Sequence, residues 1–259
     1  MLRRRRFNLS LTNLMIGALC VAPICAPAAD GQHDWEYQAT LYFWAAGING
    51  ETAGGADVDV GFDSLIKNLN LAFMGAFEAR QEQWSLAADL VYLNVGAGGR
   101  GTVPVRDTAG ALQVSADVKT KGWVINLAGA YTLIETERAS LAVLVGARYL
   151  DLSLDFDWGL AAGGYGVART LSASQSSWDG VLGVSGRVVL DGRWYLPYHL
   201  DVGAGEADFT WQAASGIGYG FDWGDVTLLY RHLAWEFGSG SALGNIDFSG
   251  PLLAASWRF

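Results

Sequence analysis

Along most of the chain, apolar residues recur at every second position, in segments that turn residues separate. Leu69, Leu71, Phe73, Gly75 and Phe77 share one face, and Asn70, Ala72, Met74, Ala76, Glu78 and Arg80 the other. Further on, Trp194, Leu196, Tyr198, Leu200 and Val202 oppose Tyr195, Pro197, His199, Asp201 and Gly203. A period of two is that of a β-strand. The pattern predicts ten strands: Trp35–Gly47, Leu69–Arg80, Gln83–Val95, Gln113–Leu133, Ala139–Phe156, Ser177–Leu190, Arg193–Gly205, Asp208–Phe221, Asp225–Phe237 and Phe248–Phe259.

The connections alternate in length. Short turns such as "IETER", "DG" and "DWG" join strands four to five, six to seven and eight to nine. Long Gly-rich segments, "INGETAGGADVDVGFDSLIKN" and "DWGLAAGGYGVARTLSASQ" among them, join the others; only "AGEA" is short on that side. This asymmetry marks an outer-membrane barrel. An even strand count puts both termini on the short-turn, periplasmic side.

Alternation alone fits a soluble sandwich as well, with the apolar face inward. Three features favour lipid. Aromatics stand at strand ends: Trp35, Trp84, Tyr131, Trp194, Phe221, Trp223 and Phe259 near the short turns, Trp123 and Tyr149 near the long loops. That is the placement of interfacial girdles. Many strands exceed the ~5–6 residues usual in soluble sheets. The last strand, "GPLLAASWRF", alternates to its final residue, as a strand that closes a ring on the first would. Closure removes the sheet edges that lipid cannot solvate. The fold class expected is therefore all-β: a closed antiparallel transmembrane β-barrel of ten strands. An eight-stranded ring is the alternative, with strands seven and eight standing clear as a hairpin. It would leave Trp194, Leu196, Leu200, Trp211 and Ile217 in water.

The beginning of the chain has a different character. Arg3 to Arg6 precede the apolar run "LMIGALCVAPIC" and the small residues "APAAD". This is the pattern of a secretory signal peptide, residues 1–28, leaving 29–259 as a single barrel domain. Both cysteines, Cys20 and Cys25, lie in that signal, so the mature chain has no disulfide framework and no cysteine nucleophile. Four of the 17 basic residues go with it, leaving 13 against 26 acids, a formal charge of −13. Such a charge argues against nucleic acid as a partner.

The final strand, with Trp257 and Phe259 on one face, resembles the signal that the assembly machinery of Gram-negative barrels recognises. More widely, "DVDVGFDSLIKNLNLAFMGAFEAR", "SWDGVLGVSGRVVLDGRWYLPYHLDVGAGEADFTWQ" and "GYGFDWGDVTLLYRHLAWEF" resemble a family of uncharacterised proteobacterial outer-membrane proteins, OmpA/opacity-like small barrels in the broad sense. The resemblance covers most of the mature chain. It implies a barrel and an outer-membrane location, but no known activity.

An internal echo sets the faces. "ARYLDLSLDF" matches "YRHLAWEF", and strand phase puts Arg148 and Arg231 inside with Tyr149 and His232 outside. Beyond them the polarity of the faces inverts: Asp151, Ser153, Asp155 and Glu236 point out, and Leu152, Leu154, Trp235 and Phe237 point in. The wall is then expected to rise above the membrane there. A phase-resetting bulge is the alternative.

With these faces the lumen gathers Glu36, Glu78, Asp89, Asp179 and Asp201 against Arg80, Arg148, Arg187, Arg231 and Arg258. Gln38, Tyr42, Asn126, Tyr195, His199 and Gln212 lie between. Inward charges should pair, because unpaired buried charge is costly. Arg148 and Arg231 are each expected to touch one of Asp89, Asp179 and Asp201. The balance of signs differs from the single-sign rings of a selective pore. His199, Asp201 and Ser185 could form a base, an orienting acid and a nucleophile. Residues two apart are spaced along a strand, however, and a polar lumenal histidine is the simpler reading. His33, His199 and His232 are too scattered for a metal site. Asp57, Asp59 and Asp63 offer too few oxygens for Ca²⁺; they read as a solvated strand extension before one helical turn that lids the barrel.

The expectation is a monomeric outer-membrane barrel with a narrow or plugged polar lumen, structural or transport-related, without cofactor. A small diffusion channel for polar solutes is the alternative, and a hydrolase acting on lipid or peptide the third. The partners expected are outer-membrane lipid, lipopolysaccharide and the assembly machinery.

Overall fold

A computed structural model describes residues 35–52, 57–67, 69–104, 111–162, 165–238, 241 and 243–259. The expected signal peptide and His33 lie outside them. The strands are β1 (Glu36–Trp44), β2 (Gly47–Thr52), β3 (Asp57–Val60), β4 (Leu69–Gln81), β5 (Trp84–Pro104), β6 (Ala111–Glu135), β7 (Ala139–Ala162), β8 (Tyr165–Asp191), β9 (Trp194–Gly205), β10 (Phe209–Gly220), β11 (Gly224–Glu236) and β12 (Leu243–Arg258). A short helix, α1 (Phe62–Lys67), precedes β4.

Ten of these strands, β1 and β4 to β12, form one closed antiparallel ring. β12 closes on β1 with Gln38 opposite Arg258 and Trp44 opposite Leu252. Tyr37 and Phe259 exchange two backbone hydrogen bonds of 3.0 Å, so pairing runs to the last residue. β9 and β10 are full members of the wall, which excludes the eight-stranded ring. Their outward residues Trp194, Leu200 and Ile217 belong to the same apolar belt as Leu41, Leu127 and Leu228. No water-soluble fold leaves such a belt bare around its circumference; hydrocarbon solvates it.

Paired aromatics bound the belt. Near the short turns, Trp84 meets Tyr131 and Trp194 meets Tyr219, each at 4.8 Å between ring centroids. Toward the long-strand end, Tyr92 meets Trp123 at 4.3 Å and Tyr149 meets Trp178 at 4.6 Å. The turns between are tight: Glu82 and Gly192 adopt φ of 53° and 55°, as two-residue hairpin turns demand.

Several boundaries differ from the expected ones. β5 to β8 run to Pro104, from Ala111, to Ala162 and from Tyr165 through segments read as Gly-rich loops. Glycine signals turns in isolation, but here a neighbouring strand supplies a continuous ladder, from Trp84–Tyr131 to Pro104–Ala111 in β5–β6. β7 and β8 pair from Ala139–Val188 to Ala162–Tyr165 with no register shift, so no bulge resets the phase beyond Arg148. Outward polarity replaces the belt there: Ser172 donates to Asp155 at 2.7 Å and Thr170 to Asp157 at 2.5 Å. Inside, Leu152, Trp235 and Phe237 are buried. The side chains of Leu154, Asp57 and Asp59 lie outside the described residues.

The expected first strand is also divided. β1 ends at Trp44 and β2 starts at Gly47, both against β12, and β2 folds back on β3 as a hairpin. Pro251 explains the break. Its carbonyl accepts the Ala45 N–H at 2.8 Å, but proline has no N–H to return.

Candidate functional site

The lumen is crossed by one hydrogen-bonded cluster built from inward positions of seven strands. Arg148 of β7 sends Nη2 to both oxygens of Asp201 on β9, at 2.6 and 2.8 Å. Its Nε donates to Asn126 Oδ1 at 2.7 Å and its Nη1 to Thr210 Oγ1 at 3.0 Å. The Thr210 hydroxyl in turn donates a hydrogen bond to the Ala234 carbonyl at 2.8 Å. Arg231 of β11 sends Nη2 to Asp89 Oδ2 at 2.8 Å and to Gln212 Oε1 at 2.8 Å. Asp89 also accepts from Tyr42 at 2.5 Å and from Asn126 at 3.1 Å. Asn126 thereby joins the two ion pairs into one network.

Both arginines are buried, at 1% and 5% exposure. Burying a guanidinium is tolerable only when its donors are matched. They are: among the described residues, every buried side-chain nitrogen and oxygen has a partner. Two rings add to this. The Arg148 guanidinium carbon lies 5.8 Å from the Trp235 ring, and that of Arg231 4.7 Å from Trp44.

The other expected lumenal residues divide. Asp179 faces inward but meets no arginine. It accepts from Ser177 at 2.9 Å, Trp235 Nε1 at 3.2 Å and the Ala207 N–H at 2.9 Å. It thus tethers the β9–β10 turn, whose Ala207 is buried in the lumen. Arg80 pairs with Glu135 and Arg258 with Asp225, two acids the sequence reading left out. Arg187 is exposed and lies over the Tyr195 ring at 5.9 Å. Glu36 and Glu78 form no ion pair among the described residues, against the expectation that all inward charges pair. Their end of the lumen is open enough for water to solvate them: Glu36 is exposed and Glu78 half-buried. Thr210 was also missed, although it shares the inward phase of Gln212 on β10.

His199 Nε2 lies 2.6 Å from Asp201 Oδ2, closer than spacing along a strand suggested. Ser185 stands opposite His199 across β8–β9. Among the described residues no hydrogen bond links them, so the nucleophile–base contact that activation requires is not formed. The Asp201 carboxylate is occupied by Arg148 as well. No group of histidines and acids among the described residues is arranged to hold a metal.

Close approach of β8 and β9 keeps Asp201 in place. A Cβ on Gly183 would sit 2.3 Å from the Leu200 carbonyl and 2.6 Å from Asp201 Cβ. Gly183→Val is expected to cost about 1–3 kcal/mol by overpacking, read as a shift in the urea unfolding midpoint in lipid vesicles. An unchanged midpoint would show that β9 can yield there.

No family model and no curated protein matches the chain. Among solved structures, the chain is similar to the outer-membrane protease OmpT from Escherichia coli, with a TM-score of 0.56 and 11% identity over 90% of this chain and 99% of that one. The translocator domain of the autotransporter NalP from Neisseria meningitidis aligns with a TM-score of 0.40 and 16% identity, over 89% and 90% of the two chains. At 11% identity the likeness to OmpT is one of fold alone, that of an outer-membrane β-barrel.

Proposed function

We propose that this protein is an integral barrel of the bacterial outer membrane whose lumen is closed by the Arg148–Asp201 and Arg231–Asp89 cluster. It acts through its wall and its long-strand end rather than as a water-filled pore. The observation that carries this is the burial of both arginines with every buried side-chain nitrogen and oxygen among the described residues satisfied. A conducting lumen keeps its charges wet, and a ten-stranded ring lies near the filled eight-stranded case rather than the aqueous 16-stranded one. The short turns face the periplasm, both chain termini lie there, and β5 to β8 rise outside. The protein is a monomer set among lipid and lipopolysaccharide, and Trp257 and Phe259 present the closing strand to the assembly machinery.

Planar-bilayer recording of the refolded protein tests the closure. Silence across ±100 mV (about 2.3 kcal/mol per elementary charge) is the expected result. Stable single-channel openings would overturn it in favour of a diffusion channel for polar solutes.

A further inference from the structure

On five of the seven strands of the charged cluster, the next inward residue toward the long-strand end is apolar. Tyr42 is followed by Trp44, Asp89 by Val91, Arg148 by Leu150 and Arg231 by Leu233, all four buried. On β6, running the other way, Asn126 is preceded by Val124. On this side of the barrel the lumen above the cluster is apolar, and part of it is a cavity.

The cavity is open at a mouth, and the empty space in and before it, solvent included, comes to about 770 Å³. Trp44, Met74, Val91, Val124, Leu150 and Phe248 line the cavity, and no charged side chain among the described residues does. Its floor is fixed, because the Trp44 ring rests over Arg231 and its Nε1 donates to the Gly250 carbonyl at 3.2 Å.

The cavity reaches the outside of the wall. The β1–β4 ladder stops at Leu41–Gly75. Beyond that pair, among the described residues, the rest of β1 pairs only with β12 and the rest of β4 only with β5. One bond crosses the break, from the Trp44 N–H to Met74 Sδ at 3.3 Å. Phe43 is on the outward face of β1, yet it lines the cavity, with the Phe62 ring of α1 edge-on to it at 5.8 Å.

The side chains outside the break are lipid-facing: Leu41, Leu71 and Phe73 are all exposed. Phe73 stands opposite Tyr92, whose ring meets Trp123 in the aromatic girdle of the long-strand side. The mouth therefore opens into lipid at the level of that girdle. A polar solute would lose its hydration in this chamber without compensation. A hydrocarbon chain moves from one apolar medium to another, and its headgroup stays at the interface.

We propose that the chamber takes an acyl chain of a membrane lipid, admitted sideways through the break between β1 and β4. The proposal rests on the barrel's lying in lipid, and not on whether the cluster below conducts.

The test uses the refolded barrel in phosphatidylcholine vesicles doped with a phospholipid carrying a diazirine in its acyl chain. After irradiation, cross-linked residues are mapped by mass spectrometry. Adducts are expected on the inward residues Met74, Val91 and Leu150, besides those on outward Leu127 and Val145. Ala72→Trp and the milder Ala72→Leu, at the mouth, should abolish the inward adducts and leave the outward ones, which report a folded, inserted barrel. Adducts confined to outward residues in the parent would overturn the proposal. So would inward adducts that survive both substitutions. A silent barrel without inward adducts fails here alone, and a conducting barrel with them fails the closure alone.

Discussion

Arg148→Met is expected to lower the barrel's unfolding free energy by about 3–5 kcal/mol, the cost of leaving one member of a buried ion pair without its partner. Methionine keeps the length and apolar stem of arginine, so the chief loss is charge. Asp201 would keep only His199, with its own side chain 2% exposed. Asn126 and Thr210 would each lose a donor too. Reversible urea unfolding in lipid vesicles, followed by tryptophan fluorescence, measures the change. Arg148→Met with Asp201→Asn should recover most of the loss, because no buried charge is then stranded. Arg231→Met should cost less, about 1–3 kcal/mol. Its partner Asp89 keeps two donors, Tyr42 and Asn126, and has a side chain 22% exposed. If Arg148→Met unfolds with the parent, the pair does not brace the barrel. If it gains conductance without losing stability, the cluster is a gate rather than a closure.

The inward direction of both arginines follows from strand parity, which is local and therefore legible in the sequence. The choice of partner is not local. Arg148 is in register with Asp179 on the adjacent strand, yet its guanidinium reaches past β8 to Asp201 on β9. Asp179 instead holds Trp235 and the β9–β10 turn. Such contacts depend on how the wall curves, which alternation does not encode. The lengths of β5 to β8 were hidden for a related reason. Stretches such as "GAGGRG" carry turn residues, and only pairing with a partner strand makes them extended. The apolar chamber was half visible. The sequence shows Leu152 and Trp235 inward beyond the arginines, but the break beside Gly75 that opens the chamber appears only when the ring is closed. Pro251 was a local signal for the neighbouring break between β1 and β2, since a proline inside a strand marks an unpaired position.

The same parity argument makes the second large prediction, on the outer surface. Leu127→Arg is expected to cost about 2–4 kcal/mol in a bilayer, the penalty for arginine on the lipid face at midplane depth. Leu127 is exposed and lies on β6 midway between two girdle aromatics, Tyr131 toward the short turns and Trp123 toward the long-strand end. Each is four residues away, ~13 Å along the strand at about 3.3 Å per residue. A guanidinium there has a long reach to either interface. Leu133→Arg is the internal control: the same exchange on the same strand, also exposed, but beyond Tyr131 beside the short turn. It should cost about 0–1 kcal/mol, as near an interface. Unfolding free energies of the two variants in the same vesicles give the difference directly. In water, an exposed leucine replaced by arginine changes stability by roughly 0.5 kcal/mol or less at either place. A depth-dependent gap therefore requires hydrocarbon around Leu127. Two equal, small costs would take the belt out of lipid, and the sideways mouth between β1 and β4 would then open on water.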